Sequence, residues 1–211
     1  MALHFYRDHI YPHLINKLGN PEPIRRVRER LIPLAQGIAL EIGVGPGVNF
    51  VHYDRARVNK LYALEPNPGM IRFAERQRRQ TELKVEFLDL SGERIPLADS
   101  SIDTVVSTFT LGTIPDVGKA IEEIGRVLRP DGKLIFFEVG LSPDPQVQRW
   151  QAWWKPIAHW VFQGLDLTRD IPFLITHGGF QIEQMETAYL DESTYAAKAW
   201  MHSWYGTAIP E

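Results

Sequence analysis

"ALEIGVGPGVNF", residues 39–50, is the stretch that decides the fold. An apolar run ends in an acid, Glu41, and three glycines follow at alternate positions, Gly43, Gly45 and Gly47. Glycine enters positive φ without a steric penalty and lets the backbone approach a ligand closely. A strand that runs into such a turn is the pattern of an open α/β sheet, where ligands bind beyond the carboxyl ends of the strands.

Downstream, short apolar runs alternate with helical patterns. "IALEIG", "KLYALE", "KVEFLD", "SIDTVVSTFTL" and "GKLIFFEVG" read as strands. "GVNFVHY" reads as a helix start, and "PGMIRFAERQRRQ" and "DVGKAIEEIGRVLR" as amphipathic helices. Continuous apolar strands separated by helices predict a parallel sheet covered on both faces, the doubly wound architecture. Past Gly140, "SPDPQVQRWQAWWKPIAHWVF" predicts an aromatic-rich helix or a broken pair with a kink at Pro156. "TRDIPFLITHGGF" predicts a helix stopped by Gly178 and Gly179. "FQIEQMETAYL" and "HSWYGTAIP" read as a final strand pair, joined by a short loop-and-turn stretch that allows them to run antiparallel. The expected fold is therefore α/β and Rossmann-like: a mostly parallel, seven-stranded sheet with an antiparallel last strand, N-terminal helices and a helical cap.

Upstream, Tyr6, Ile10, Leu14 and Leu18 predict an amphipathic helix that Pro12 weakens. A second helix buries Ile24, Val27, Leu31 and Ile32, and Arg25, Arg26, Arg28 and Arg30 are read as its solvated face. The expected organisation is an N-terminal helical lid over 1–36, a cofactor-binding core over 37–141, an aromatic cap with a returning helix over 142–179, and a strand pair completing the sheet over 180–211, all within one domain.

Composition narrows the function classes. The chain of 211 residues is 44% apolar and 23% charged with net charge −3, which is ordinary for a globular protein and lacks the basic excess of a nucleic-acid binder. It has no cysteine, hence no disulfide, thiolate nucleophile or cysteine zinc site. His4, His9 and His13 only partly share a helical face and are read as surface or lid residues, so no metal is expected. No stretch reads as a signal peptide or membrane span, and the expected compartment is the cytoplasm, with peripheral lipid contact as a further option.

Two ligand classes compete for the glycine turn. A dinucleotide requires G-x-G-x-x-G, and the third glycine falls on Val48 or Phe50 in the two possible registers, so that fingerprint fails. Glu41 would repel a pyrophosphate but attract an ammonium and a sulfonium, as carried by S-adenosylmethionine. Glu65 ends the next strand in "LYALEPNPGM", where a carboxylate accepts from both ribose hydroxyls, and Pro66, Asn67 and Met70 belong to the turn that follows. Ser91, Gly92 and Glu93 are placed at the adenine edge, and Thr108 and Thr110 in "STFTLGTIPD" near the methyl group. Asp103 is read as structural.

These blocks, "LEIGVGPG", "ALEPNPGM", "DLSGERIPLADSSID", "STFTLGTIPD" and "EIGRVLRPDGKLIFFEVG", resemble the class I S-adenosylmethionine-dependent methyltransferases in their usual order. The general pattern resembles the ubiquinone/menaquinone methyltransferase group. "GLDLTRD" and the terminal "YGTAI" extend a closer likeness to methyltransferase-like proteins related to thiol S-methyltransferases. The resemblance implies S-adenosylmethionine as cofactor and methyl transfer by direct displacement to a small apolar acceptor, possibly a thiol. Alternatives are a quinone or phenol, a phospholipid amine, or a catalytically silent cofactor-binding protein. The hydrophobic N-terminal anchor of the animal relatives has no counterpart in this sequence. Trp150, Trp153, Trp154 and Trp160, with Phe162, are the expected substrate-pocket wall or the packing of the cap onto the sheet. His159, Asp166, Arg169 and His177 are candidates should a proton acceptor or an anion-orienting group be needed, and no base is assigned.

Overall fold

The computed structural model describes residues 5–211; His4 and the side chain of Leu18 fall outside that description. In chain order the elements are α1 (Tyr11–Leu18), α2 (Glu22–Leu31), β1 (Gly37–Ile42), β2 (Val58–Leu64), α3 (Pro68–Arg78), β3 (Val85–Leu88), β4 (Ile102–Thr108) and α4 (Val117–Val127). They continue with β5 (Leu128–Val139), α5 (Pro145–Val161), α6 (Ile171–His177), β6 (Phe180–Tyr189), α7 (Tyr195–Met201) and β7 (His202–Pro210). The strands form one seven-stranded sheet in the order β3-β2-β1-β4-β5-β7-β6. β1 pairs in parallel with β2 and β4, β2 with β3, and β4 with β5. β7 lies antiparallel between β5 and β6. The order reverses between β1 and β4, the switch point at which open α/β sheets leave a crevice.

Side-chain alternation explains the two-sided core. Ala39, Val106, Ile135 and Phe137 face one layer with Ile24, Val27 and Leu31 of α2. Leu40, Val105, Leu134 and Phe136 face the other with Ile121, Ile124 and Val127 of α4. Each strand thus sends successive residues to opposite layers, as a sheet covered on both faces requires. Asn67, Asp116, Asp144, Asp170 and Thr194 cap α3, α4, α5, α6 and α7 by accepting backbone N–H bonds.

The N-terminal segment departs from its expected periodicity. A π-helical turn, Tyr6–Ile10, precedes α1, and the Tyr11 N–H donates to the Tyr6 carbonyl. The extra residue shifts the helical phase, so that Tyr6 and Tyr11 are both half-buried while Ile10 stands at 48% exposure. Pro12 sits in the first turn of α1, where a missing N–H is harmless. This segment lies on the start of α3 at Gly69, where an added Cβ would stand 2.4 Å from the Asp8 carbonyl oxygen. The Asn67 amide donates to the Arg7 carbonyl at 3.0 Å beside it.

Other expectations are corrected. "GVNFVHY" forms only a 3₁₀ turn, Phe50–His52, in place of a helix start. Of the two readings of the aromatic segment the single helix holds: α5 runs unbroken with Pro156 in its interior. The β6–β7 connection contains α7, whose pattern is too short to stand out in the sequence. Arg28, assigned to a solvated face, is buried, since Ile24, Val27, Arg28 and Leu31 share one helical stripe. Among the described residues, no helix is long and apolar enough to cross a membrane.

Candidate functional site

The carboxyl ends of β1, β2 and β4 open onto a cavity of about 630 Å³, inside the roughly 300–1,000 Å³ range of small-molecule sites. Gly43, Gly45 and Gly47 hold φ of +62°, +54° and +80°. Their roles differ. A Cβ on Gly43 would meet Thr110 Oγ1 at 2.3 Å, so Gly43 lets two loops touch. A Cβ on Gly45 would have nothing but the Gly43 carbonyl oxygen, 3.9 Å away, on the cavity side of the turn.

Glu65 ties the second strand end to this turn. Its Oε2 accepts from the Gly45 N–H at 2.9 Å, and its Oε1 from the Asn67 N–H at 2.9 Å. A carboxylate has about four acceptor positions, so two remain for a ligand. Burial pushes the carboxyl up to about 7, with Asp89 adding to the rise and the two backbone donors opposing it. Gly43, Gly45, Glu65, Pro66, Asn67 and Met70 all line the cavity. So do Ser91, Gly92, Thr108 and Thr110. Gly47 and Glu93 do not: Gly47 packs against Phe50 and Ala74, and Glu93 accepts from the Asp116 N–H.

Glu41 also stands behind the wall. It is 1% exposed and accepts from Asn49 Nδ2 at 2.7 Å and Tyr53 Oη at 2.8 Å. Burial raises its carboxyl to about 7 against those two hydrogen bonds and Arg28. Alternation along β1 puts Glu41 on the α2 side of the sheet, where Arg28 reaches Asn49 and Thr108. Glu138 is the counterpart on the other side: it accepts from Ser107 Oγ at 2.5 Å and from the Thr110 and Leu111 N–H groups, holding the loop after β4.

Comparison with known proteins agrees with this geometry. Residues 40–136 match the family described as "Methyltransferase domain". The chain is 34% identical over 154 residues to the thiol S-methyltransferase TMT1B of Rattus norvegicus, covering 70% of this chain and 61% of that one. It is 31% identical over 121 residues to the demethylmenaquinone methyltransferase of Lactobacillus johnsonii, covering 56% and 45%. This chain therefore spans about three fifths or less of the length of these relatives. Among solved structures, the cyclase SpnF superposes with a TM-score of 0.72 at 17% identity over 99% of this chain and 94% of that chain, a likeness of fold alone. In this domain match and in fold, the chain resembles the class I S-adenosylmethionine-dependent methyltransferases.

The fold and the methyltransferase-domain match imply S-adenosylmethionine as the methyl donor. The cavity suits it chemically: a bare backbone turn, a half-satisfied carboxylate at Glu65, and a buried guanidinium, Arg28, whose Nε has no partner among the described residues.

The remaining wall is apolar; Phe162 and the N-terminal helices were expected in it, whereas Phe109 and Trp200 were not read from the sequence. Leu14 and Ile15 come from α1, Phe109 follows β4, Phe162 and Leu165 follow α5, and Trp200 ends α7. The expected tryptophans lie elsewhere. Trp150, Trp153 and Trp160 are 40%, 62% and 63% exposed on α5, while Trp154 packs on Trp200 with ring centroids 5.6 Å apart. None of these four lines the cavity, because α5 turns its aromatic stripe outward and contributes through the residues after its end. His159, Asp166, Arg169 and His177 do not line it either. His159 is exposed. Asp166 pairs with Lys155 at 2.9 Å and accepts from Thr168, Arg169 donates to the Leu111 carbonyl, and His177 bonds the Phe173 carbonyl at the end of α6. Tyr11 lines the cavity and was missed; the π turn that aims it leaves no signal in the helical spacing.

Proposed function

We propose that this methyltransferase moves a methyl group from S-adenosylmethionine to a small apolar acceptor, with a thiol as the leading class. One observation carries the acceptor reading: the apolar half of the cavity holds no free base. Among the described residues no histidine lines it, and its only lining carboxylate, Glu65, is bound to two backbone donors. Burial pushes the Tyr11 hydroxyl well up, so Tyr11 stays a neutral phenol. An acceptor in this cavity must supply its own nucleophile, and a thiol with a pKa near 8.5 does so where an alcohol does not. The likeness to mammalian thiol S-methyltransferases points the same way.

The donor brings a sulfonium leaving group, so the chain has to hold and align the reactants and keep water out. In this reading Glu65 accepts from the ribose hydroxyls, and Ser91 and Gly92 border the adenine. Gly43 and Gly45 let the backbone close on the chain that carries the sulfonium. Thr108 and Thr110 flank the transferring carbon. Residues 1–36 act as a lid, to which the described part contributes Tyr11, Leu14, Ile15 and Arg28. Leu14, Ile15, Phe109, Phe162 and Trp200 bind the acceptor and exclude water.

The test is methyl transfer from labelled donor to alkyl thiols, aryl thiols, phenols, demethylated quinones and phospholipid amines. Thiol methylation is expected, with a rate that follows each thiol's own ionisation as pH rises. Transfer to quinones or phenols but not thiols would replace the acceptor class. Donor binding without turnover on any acceptor would make the chain a silent binding protein.

A further inference from the structure

We propose that Arg28 binds the carboxylate of the methyl donor, so that helix α2 forms one wall of the cofactor site. This rests on the methyl-donor reading above. Four arginines lie on α2, and three are ordinary. Arg25, Arg26 and Arg30 are exposed and pair with Glu29, Glu22 and Glu186. Arg28 is 4% exposed and lines the cavity.

Its guanidinium is only partly used. Nη1 donates to Asn49 Oδ1 at 2.5 Å and to Thr108 Oγ1 at 3.1 Å. Nε is buried without a partner, and Nη2 makes no hydrogen bond among the described residues. The faces of Phe109 and Phe137, with centroids 5.4 and 6.0 Å from its central carbon, hold the group in place. Burial lowers its pKa only to about 10, so the charge persists at neutral pH.

The neighbouring carboxylates do not satisfy these donors. Glu41 gives its oxygens to Asn49 and Tyr53, and Glu138 to Ser107, Thr110 and Leu111. Both influence Arg28 through space alone. A buried donor without a partner is costly, and a guanidinium is the group that suits a carboxylate; Nη2, which has no partner among the described residues and is not closed off as Nε is, is the donor left for it. The donor's one anionic group is its carboxylate. With Glu65 also on the cavity wall, an acid and a base then bind different parts of the ligand. Arg7 also lines the cavity, but it is half exposed and paired with Asp8.

Calorimetry with S-adenosylmethionine and its decarboxylated form, on the wild type, Arg28→Met and Arg28→Lys, tests this. The wild type is expected to prefer the carboxylated ligand by about tenfold or more, as for a hydrogen bond to a charged group. Arg28→Met should shrink that preference to about twofold or less, and Arg28→Lys should keep part of it; the ratio isolates the pair from any general damage to the site. A wild-type preference below about twofold overturns the proposal whether or not the variants fold. So does an Arg28→Met protein that weakens both ligands equally and keeps the preference. If the wild type binds neither ligand, the methyl-donor reading falls and Arg28 falls with it; tight binding without preference sinks Arg28 alone.

Discussion

Gly43 and Gly45 carry nearly the same backbone conformation for different reasons, and substitution separates them. An alanine at Gly45 bears the left-handed backbone cost, about 1–2 kcal/mol, with no side chain in its way. An alanine at Gly43 adds a collision with Thr110, worth about 1–3 kcal/mol more. In urea titrations Gly43→Ala should be the less stable protein. Gly45→Ala should lose more S-adenosylhomocysteine affinity than its modest instability accounts for, because Gly45 lines the cavity. Glu65 was legible at this scale, since an acid at a strand end beside a bare turn has few other uses. Arg28 was not, because residue type suggested solvent and only helical phase places it inward. Glu41 was half legible: its neighbourhood was right, but the polar shell of Asn49 and Tyr53 separates it from the cavity.

Helix α3 and the segment laid across it form a joint whose parts can be tested singly. Gly69→Ala puts a Cβ against the Asp8 backbone, and the N-terminal segment must lift; about 1–3 kcal/mol of stability should go. Limited proteolysis should then cut before Gly19 sooner than in the wild type. Asn67→Ala removes the cap of α3, which accepts from the Gly69 and Met70 N–H groups, together with the tie to Arg7. A loss of about 1 kcal/mol for the cap, read by thermal unfolding, should accompany weaker donor binding. Elements with a full period were readable from their patterns: α4 and the five strands from β1 to β5 fall where the alternation of apolar runs and helices places them. The π turn before α1 and the short α7 escaped because a one-residue phase shift and a two-turn helix leave too little periodicity to detect.

The whole molecule buries three carboxyl groups, Glu41, Glu65 and Glu138, each raised from its ordinary value to about 7 mainly by burial. The folded chain therefore holds protons between pH 4.5 and 7 that the unfolded chain has released. Their contribution to stability is present in full below about pH 4.5 and is lost as pH rises toward 7. Urea titrations without ligand should show stability falling across that window from these groups. Donor affinity should move oppositely. If Glu65 accepts hydroxyls as a carboxylate, binding below pH 7 must expel a proton. Affinity for S-adenosylhomocysteine should then rise by up to about tenfold per pH unit until 7 and level off, with a larger thermal shift at pH 8 than at pH 6. A flat profile would show that Glu65 is already ionised or plays no part. The mostly parallel sense of the sheet was legible because helical crossovers dictate parallel strands; its strand order was not read. The pocket's apolar half was legible only in Phe162 and the N-terminal helices: Phe109 and Trp200, distant in the chain, carry no common pattern with them.

The position of β7 has a consequence for how such a chain is made. Vectorial synthesis delivers β6 before the strand that must separate it from β5, so the nascent sheet waits with an open seam. Until β7 slides in, β5 offers a bare ladder to any passing strand, and Trp200 has no fixed place from which to close the pocket. A closed pocket and protection from mispairing thus arrive together, with the same short piece of polypeptide.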